Sequence, residues 1–144
     1  MERKVFLFIV LAFGLFVGKA QTVSKERLIE RLIEIADSVY NLPRFADYQI
    51  KNGEPVVIEK ETIYLTPEEL AKIPKSDPFY GCTEPGCKYY IVRYPCDIEV
   101  YNTLADLCAM RVYIWAKSQR VFNVALGNGI HLKVSYGGNG DADF

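Results

Sequence analysis

MRVYIWAKSQRVFNVALGNGIHLKVSY, residues 110–136, is the stretch that decides the fold. Met110, Val112, Ile114 and Ala116 alternate with Arg111, Tyr113, Trp115 and Lys117, and Phe122, Val124 and Leu126 keep the same two-residue period. Successive side chains on a strand point to opposite faces of a sheet, so this spacing predicts half-buried strands. Gly127-Asn128-Gly129 supplies a turn, after which Ile130, Leu132, Val134 and Tyr136 face away from His131, Lys133 and Ser135. Three strands in succession, joined by short turns, make an antiparallel meander.

The pattern continues upstream. Tyr90, Val92 and Tyr94 alternate with Ile91 and Arg93, and Ile98 and Val100 alternate with Asp97, Glu99 and Tyr101. Thr103–Ala109 is expected to form a helical turn between strands. Thr66-Pro67-Glu68-Glu69 is a capping box with proline at the first helical position, so a short helix should run to about Ile73 and stop at Pro74. A further strand is expected near Thr62–Leu65, and Asn52-Gly53 between Tyr48/Ile50 and Val56–Ile58 predicts a hairpin, because such a turn needs positive φ at both central residues.

Nearer the N-terminus the period changes to that of a helix. Leu28, Ile29, Leu32, Ile33, Ala36, Val39 and Tyr40 recur at three- and four-residue steps, with Glu26, Arg27, Glu30, Arg31, Glu34 and Asp37 on the other side. An amphipathic helix over residues 25–41 follows, capped by Ser24 and ended by Pro43. The expected fold is α+β, an N-terminal amphipathic helix packed on an antiparallel β-meander sheet and stabilised by disulfides.

Residues 1–20 have the pattern of an export signal: Arg3 and Lys4, an apolar run over Val5–Gly18, and Gly18-Lys19-Ala20 with small residues flanking the lysine. A membrane-spanning helix needs about 20 apolar residues, more than this run supplies. Cleavage after Ala20 is expected, followed by a single domain over 21–136 and a flexible Gly/Asp tail over 137–144. Removing 20 of the 144 residues leaves 124; losing Arg3, Lys4, Lys19 and Glu2 from 17 basic and 18 acidic leaves 14 and 17. The mature chain is therefore mildly acidic, long enough to bury its own core, and without the basic run that nucleic acid or anionic lipid requires.

Export sets the meaning of the cysteines. Cys82, Cys87, Cys96 and Cys108 are even in number and close in sequence, and an oxidising compartment favours two disulfides, with Cys82–Cys87 and Cys96–Cys108 preferred because Thr83-Glu84-Pro85-Gly86 is a turn-forming insert. No Cys-x-x-Cys is present, which argues against a zinc quartet, a redox pair or a haem attachment site. No metal or cofactor is implied. The alternation of Asn139, Asp141 and Asp143 lacks the glycine and distal glutamate of a calcium loop, and two helices plus a proline-rich loop leave too little chain for the eight strands of about ten residues that an outer-membrane barrel needs.

Catalytic signals are sparse. His131 is the sole histidine, on the polar side of its strand with no carboxylate near in sequence; Ser118 and Ser135 lie in no nucleophile elbow. Asp97/Glu99 and Glu59/Glu61 are same-face carboxylate pairs of the kind common on solvated strands. No phosphate-binding glycine loop occurs. The stronger feature is aromatic: Tyr80, Tyr89, Tyr90, Tyr94, Tyr101, Tyr113 and Trp115 crowd one region, and Tyr101, Tyr113 and Trp115 occupy the outward phase of their strands, where they would form a recognition surface for protein or carbohydrate.

The expected function is that of an exported, non-catalytic binding or assembly protein using this aromatic face or a strand edge. A small periplasmic or extracellular hydrolase is the alternative. A long N-terminal helix before a cysteine-bearing antiparallel sheet also resembles the general plan of type IV pilins and pseudopilins. The chain departs from that plan at its leader, where Val5-Phe6-Leu7-Phe8-Ile9 follows the charges with neither the pilin glycine nor the glutamate near the start of the mature helix. No residue roles carry over.

Overall fold

A computed structural model describes residues 24–61, 66–84, 88–96, 108–136 and 141–144. The chain divides into two compact units, Met1–Arg31 and Leu32–Phe144. Helix α1 occupies residues 24–40 and crosses that boundary. Everything below concerns the second unit.

The unit is α+β, with a five-stranded antiparallel sheet in chain order: β1 (Val56–Glu61), β2 (Lys88–Pro95), β3 (Cys108–Trp115), β4 (Val121–Leu126) and β5 (His131–Lys133). The meander read from residues 110–136 is there. Helix α2 (Pro67–Ala71) starts at the Thr66 capping box, in which Glu69 N donates to Thr66 Oγ1 and Thr66 N donates to Glu69 Oε2. No described helix is long and apolar enough to cross a membrane.

One face of the sheet takes the last two turns of α1. Leu32, Ala36, Val39 and Tyr40 are buried, and the Tyr40 and Tyr94 rings stack 4.1 Å apart. Tyr94 donates its hydroxyl hydrogen to Asp37 Oδ1 at 2.7 Å, which satisfies the one polar atom that a fully buried tyrosine brings into this layer. Around them Val92, Met110, Val112 and Val124, aligned by the ladder, are wholly buried, each contributing about 1.5–3 kcal/mol of transfer free energy. Pro43 ends α1 as expected and opens a 3₁₀ helix, Pro43–Tyr48, that buries Phe45.

Three expectations are corrected here. No Asn52-Gly53 hairpin forms: residues 43–48 are spent in the 3₁₀ helix, so only Lys51 remains to pair, and it bridges to Cys96 while β1 pairs along its whole length with β2. Gly53 still takes φ +106°, as a glycine in a turn can. The Cys96–Cys108 disulfide is absent, and no disulfide joins Cys82, Cys96 and Cys108. A register shift after Tyr94 sets Cys108 opposite Pro95, so Cys96 falls one position further along and alternates to the other side. Cys87 lies outside the described residues, as do Tyr101 and the segments expected as strands at Thr62–Leu65 and Ile98–Val100.

The third correction falls at a strand end. Cys108 and Ala109, expected within a helical turn, begin β3. Of the tail expected over 137–144, residues 137–140 lie outside the described residues; after them β7 (Ala142–Asp143) pairs with β6 (Ser135–Tyr136), and Phe144 meets the edge of Phe45 at 5.7 Å, with Arg44 over both rings.

Candidate functional site

The opposite face of the sheet is built differently. Its ladder sets Tyr89 beside Trp115, Ile91 beside Tyr113, and Asn123 beside Lys133. Between Tyr113 and Ile114 the register of β4 slips by one residue, so Phe122 is an extra residue opposite that step. Strict alternation would send Phe122 to the helix side with Val124. The bulge delivers it to the other face, where its ring stacks on Trp115 at 4.1 Å and 20°.

A strap of turns, Pro74–Glu84, crosses this aromatic layer. Asp77 N donates to Pro74 O, Tyr80 N to Asp77 O and Cys82 N to Phe79 O, and Asp77 Oδ1 accepts from Phe79 N at 2.8 Å. Gly81 stands at the third position of the Phe79–Cys82 turn with φ +74°, the position where a type II turn requires glycine. The strap carries Phe79 down onto Tyr89, Trp115 and Phe122, with centroids 5.2, 6.1 and 5.6 Å away. Tyr113 and Trp115 are left 6% and 4% exposed. Their outward phase was legible from sequence; their exposure was not, because the strap covers them. A flat aromatic recognition face is therefore absent at these two residues.

A cavity of about 420 Å³ opens instead where the end of the strap meets the ends of β4, β5 and β6. Trp115, Phe122, Tyr80 and Tyr136 give it aromatic walls, and Cys82, Glu84, Arg120 and Lys133 bring polar chemistry. Tyr136 is fixed by donating to Val121 O at 3.0 Å, and the Arg120 guanidinium lies 4.8 Å from its ring centre. Lys133 Nζ donates to Asp77 O, pinning the strap to β5. Burial holds the Lys133 ammonium below its ordinary pKa, and the Cys82 and Asp77 charges oppose that shift. Burial pushes the Cys82 thiol up to about 11, against the pull of Lys133. At neutral pH it is a protonated, poorly nucleophilic group.

His131 lies on this face beyond Tyr113. Its Nδ1 donates to Asn123 Oδ1 at 2.9 Å, and burial followed by the Lys133 and Arg111 charges lowers its pKa. Asn123 is fully buried, and its Nδ2 has no hydrogen-bond partner among the described residues. The orienting partner of His131 is thus a neutral amide, and no hydroxyl or thiol hydrogen-bonds to its ring among the described residues. Glu59 and Glu61 share Lys88, at 3.0 and 3.5 Å, on the exposed edge of the sheet. They form a surface ion cluster, not an acid/base pair facing a cleft. Asp97 and Glu99 lie outside the described residues.

Sequence inspection passed over Glu84, Arg120 and Tyr136 as site residues. The signal available was the dense Pro78-Phe79-Tyr80-Gly81-Cys82 run between helix and strand, an aromatic-bearing turn with no strand to belong to. These features define a small α+β protein with a covered aromatic sheet face and one polar-lined cavity beside it among the described residues. No protein-family model, curated protein or solved structure matches the chain.

Proposed function

We propose that this is an exported, non-catalytic binding protein that takes a small ligand into the cavity between the strap and β4–β6. The observation that carries it is the cavity itself: about 420 Å³, with aromatic walls and a few convergent polar groups. Ligand pockets have that composition and run from about 300 to 1,000 Å³. Export rests on the charged start, apolar run and Gly18-Lys19-Ala20 ending of residues 1–20. Binding is favoured over hydrolysis because the Cys82 thiol is held protonated and His131 is oriented by an amide. Neither group is prepared as a nucleophile or base.

A fragment screen read by NMR at the indole N–H of Trp115, the single tryptophan, tests the cavity. Fragments that shift this signal in the protein should lose their effect in Ser135→Phe, whose ring occupies the space. Equal shifts in both proteins, or no fragment that shifts the indole, reject the cavity as a binding site. Intact mass of the exported product should correspond to a chain beginning at Gln21.

A further inference from the structure

The cavity holds two half-buried groups of opposite charge that are not paired with each other. Glu84 is half-buried on the cavity wall, and among the described residues no ion pair engages its carboxylate. Lys133 spends one N–H on the neutral Asp77 carbonyl, and among the described residues it has no carboxylate within ion-pair distance. The Cys82 side chain lies near enough to feel both charges. A half-buried charge gains from a counter-charge that its own neighbours do not supply, so each group favours a ligand that completes it. The same cavity has the aromatic walls described above, and the exposed Arg120 lies over Tyr136 at its lining.

We infer that the ligand is a zwitterionic α-amino acid with an apolar side chain, its ammonium held by Glu84, its carboxylate by Lys133 and Arg120, and its side chain against Trp115 and Phe122. The inference rests on the cavity being the binding site, as proposed above. A simple organic anion would meet Lys133 and Arg120 but also face the Glu84 carboxylate, and a simple amine would satisfy Glu84 at the expense of facing two cations. Only a ligand carrying both charges suits the carboxylate and the two cations together, and the mismatched charge rejects the singly charged analogues.

Calorimetry, together with Trp115 emission, on the protein with L-phenylalanine, L-leucine, 3-phenylpropionate and phenethylamine tests this. At least one amino acid should bind, with the two singly charged analogues about tenfold weaker or worse, because each leaves a buried charge unmatched. Glu84→Gln should weaken amino-acid binding about tenfold without weakening 3-phenylpropionate. Lys133→Met should weaken the amino acid and spare phenethylamine, and Lys133→Arg should recover part of the loss; thermal melts establish that each variant is folded. Binding of 3-phenylpropionate or phenethylamine as tight as that of the amino acids overturns the inference. So does failure of both amino acids while uncharged fragments still shift the Trp115 indole; in that case the cavity binds ligands and only the ligand class is wrong. If nothing enters the cavity, both proposals fall together.

Discussion

The two faces of one sheet use the same alternation for different ends. On the α1 side, wholly buried aliphatic side chains and a stacked Tyr40–Tyr94 pair meet a regular helix, and both tyrosine hydroxyls are partnered, Tyr94 donating to Asp37 and Tyr40 accepting from Lys51 N. On the strap side, aromatic rings meet an irregular run of turns; Asn123 keeps an unpartnered Nδ2 among the described residues, and a cavity remains. A helix presents a continuous apolar stripe and can close its interface completely. Turns carry their own backbone hydrogen bonds and place only single anchors such as Phe79, so gaps persist between them.

If that contrast is right, the largest effect belongs to the helix face. Leu32→Ala should cost about 3 kcal/mol in chemical denaturation, as fully buried leucines do. Phe79→Ala should cost less, about 2 kcal/mol, since the strap anchor is half-buried. It should also make Trp115 emission quenchable by acrylamide, which Leu32→Ala should not. Unchanged quenching in Phe79→Ala means that the strap is not what covers the aromatic layer.

A smaller loss tests the polar link on the helix side. Tyr94→Phe removes the hydroxyl that donates to Asp37 and should cost about 1.5 kcal/mol while the stacked ring stays in place. A neutral result in denaturation would mean that water takes over the Asp37 contact at no cost.

The smallest effect is a pH dependence confined to the strap side. The folded pKa of His131 lies below the ordinary 6.5, so on acidification the unfolded chain takes up this proton first. Stability should therefore fall as pH drops through 6.5 and level off below the folded value, with no contribution above the ordinary value. His131 is the only histidine, so subtracting the stability profile of His131→Gln isolates the step. A profile indistinguishable from that of the variant would place the imidazole in free solvent.

Much of the architecture was legible because it depends on local period. The two-residue alternation in 110–115 and 121–126, the α1 stripe and the Thr66 capping box each satisfy backbone and burial needs within a few neighbours. What misled depended on partners distant in sequence. Asn52-Gly53 has hairpin chemistry, yet β1 found a longer partner in β2; Phe122 has the phase of Val124, yet a bulge sends it to the other face. The cysteines were spaced for bridging, yet register sets Cys108 against Pro95.

The candidate site was harder to read for the same reason. Its polar groups come from the strap, the β3–β4 turn and β5, so no contiguous motif contains Glu84, Arg120 and Lys133. The sequence by itself determined the α1 stripe, the Thr66 cap and most of the strands of the meander with the phase of their side chains away from the bulges, since these follow from backbone geometry and the spacing of apolar groups. Only the tertiary structure decided what covers each face, and with it the burial of Trp115 and the place where a cavity is left, because coverage depends on how distant segments compete for one apolar surface.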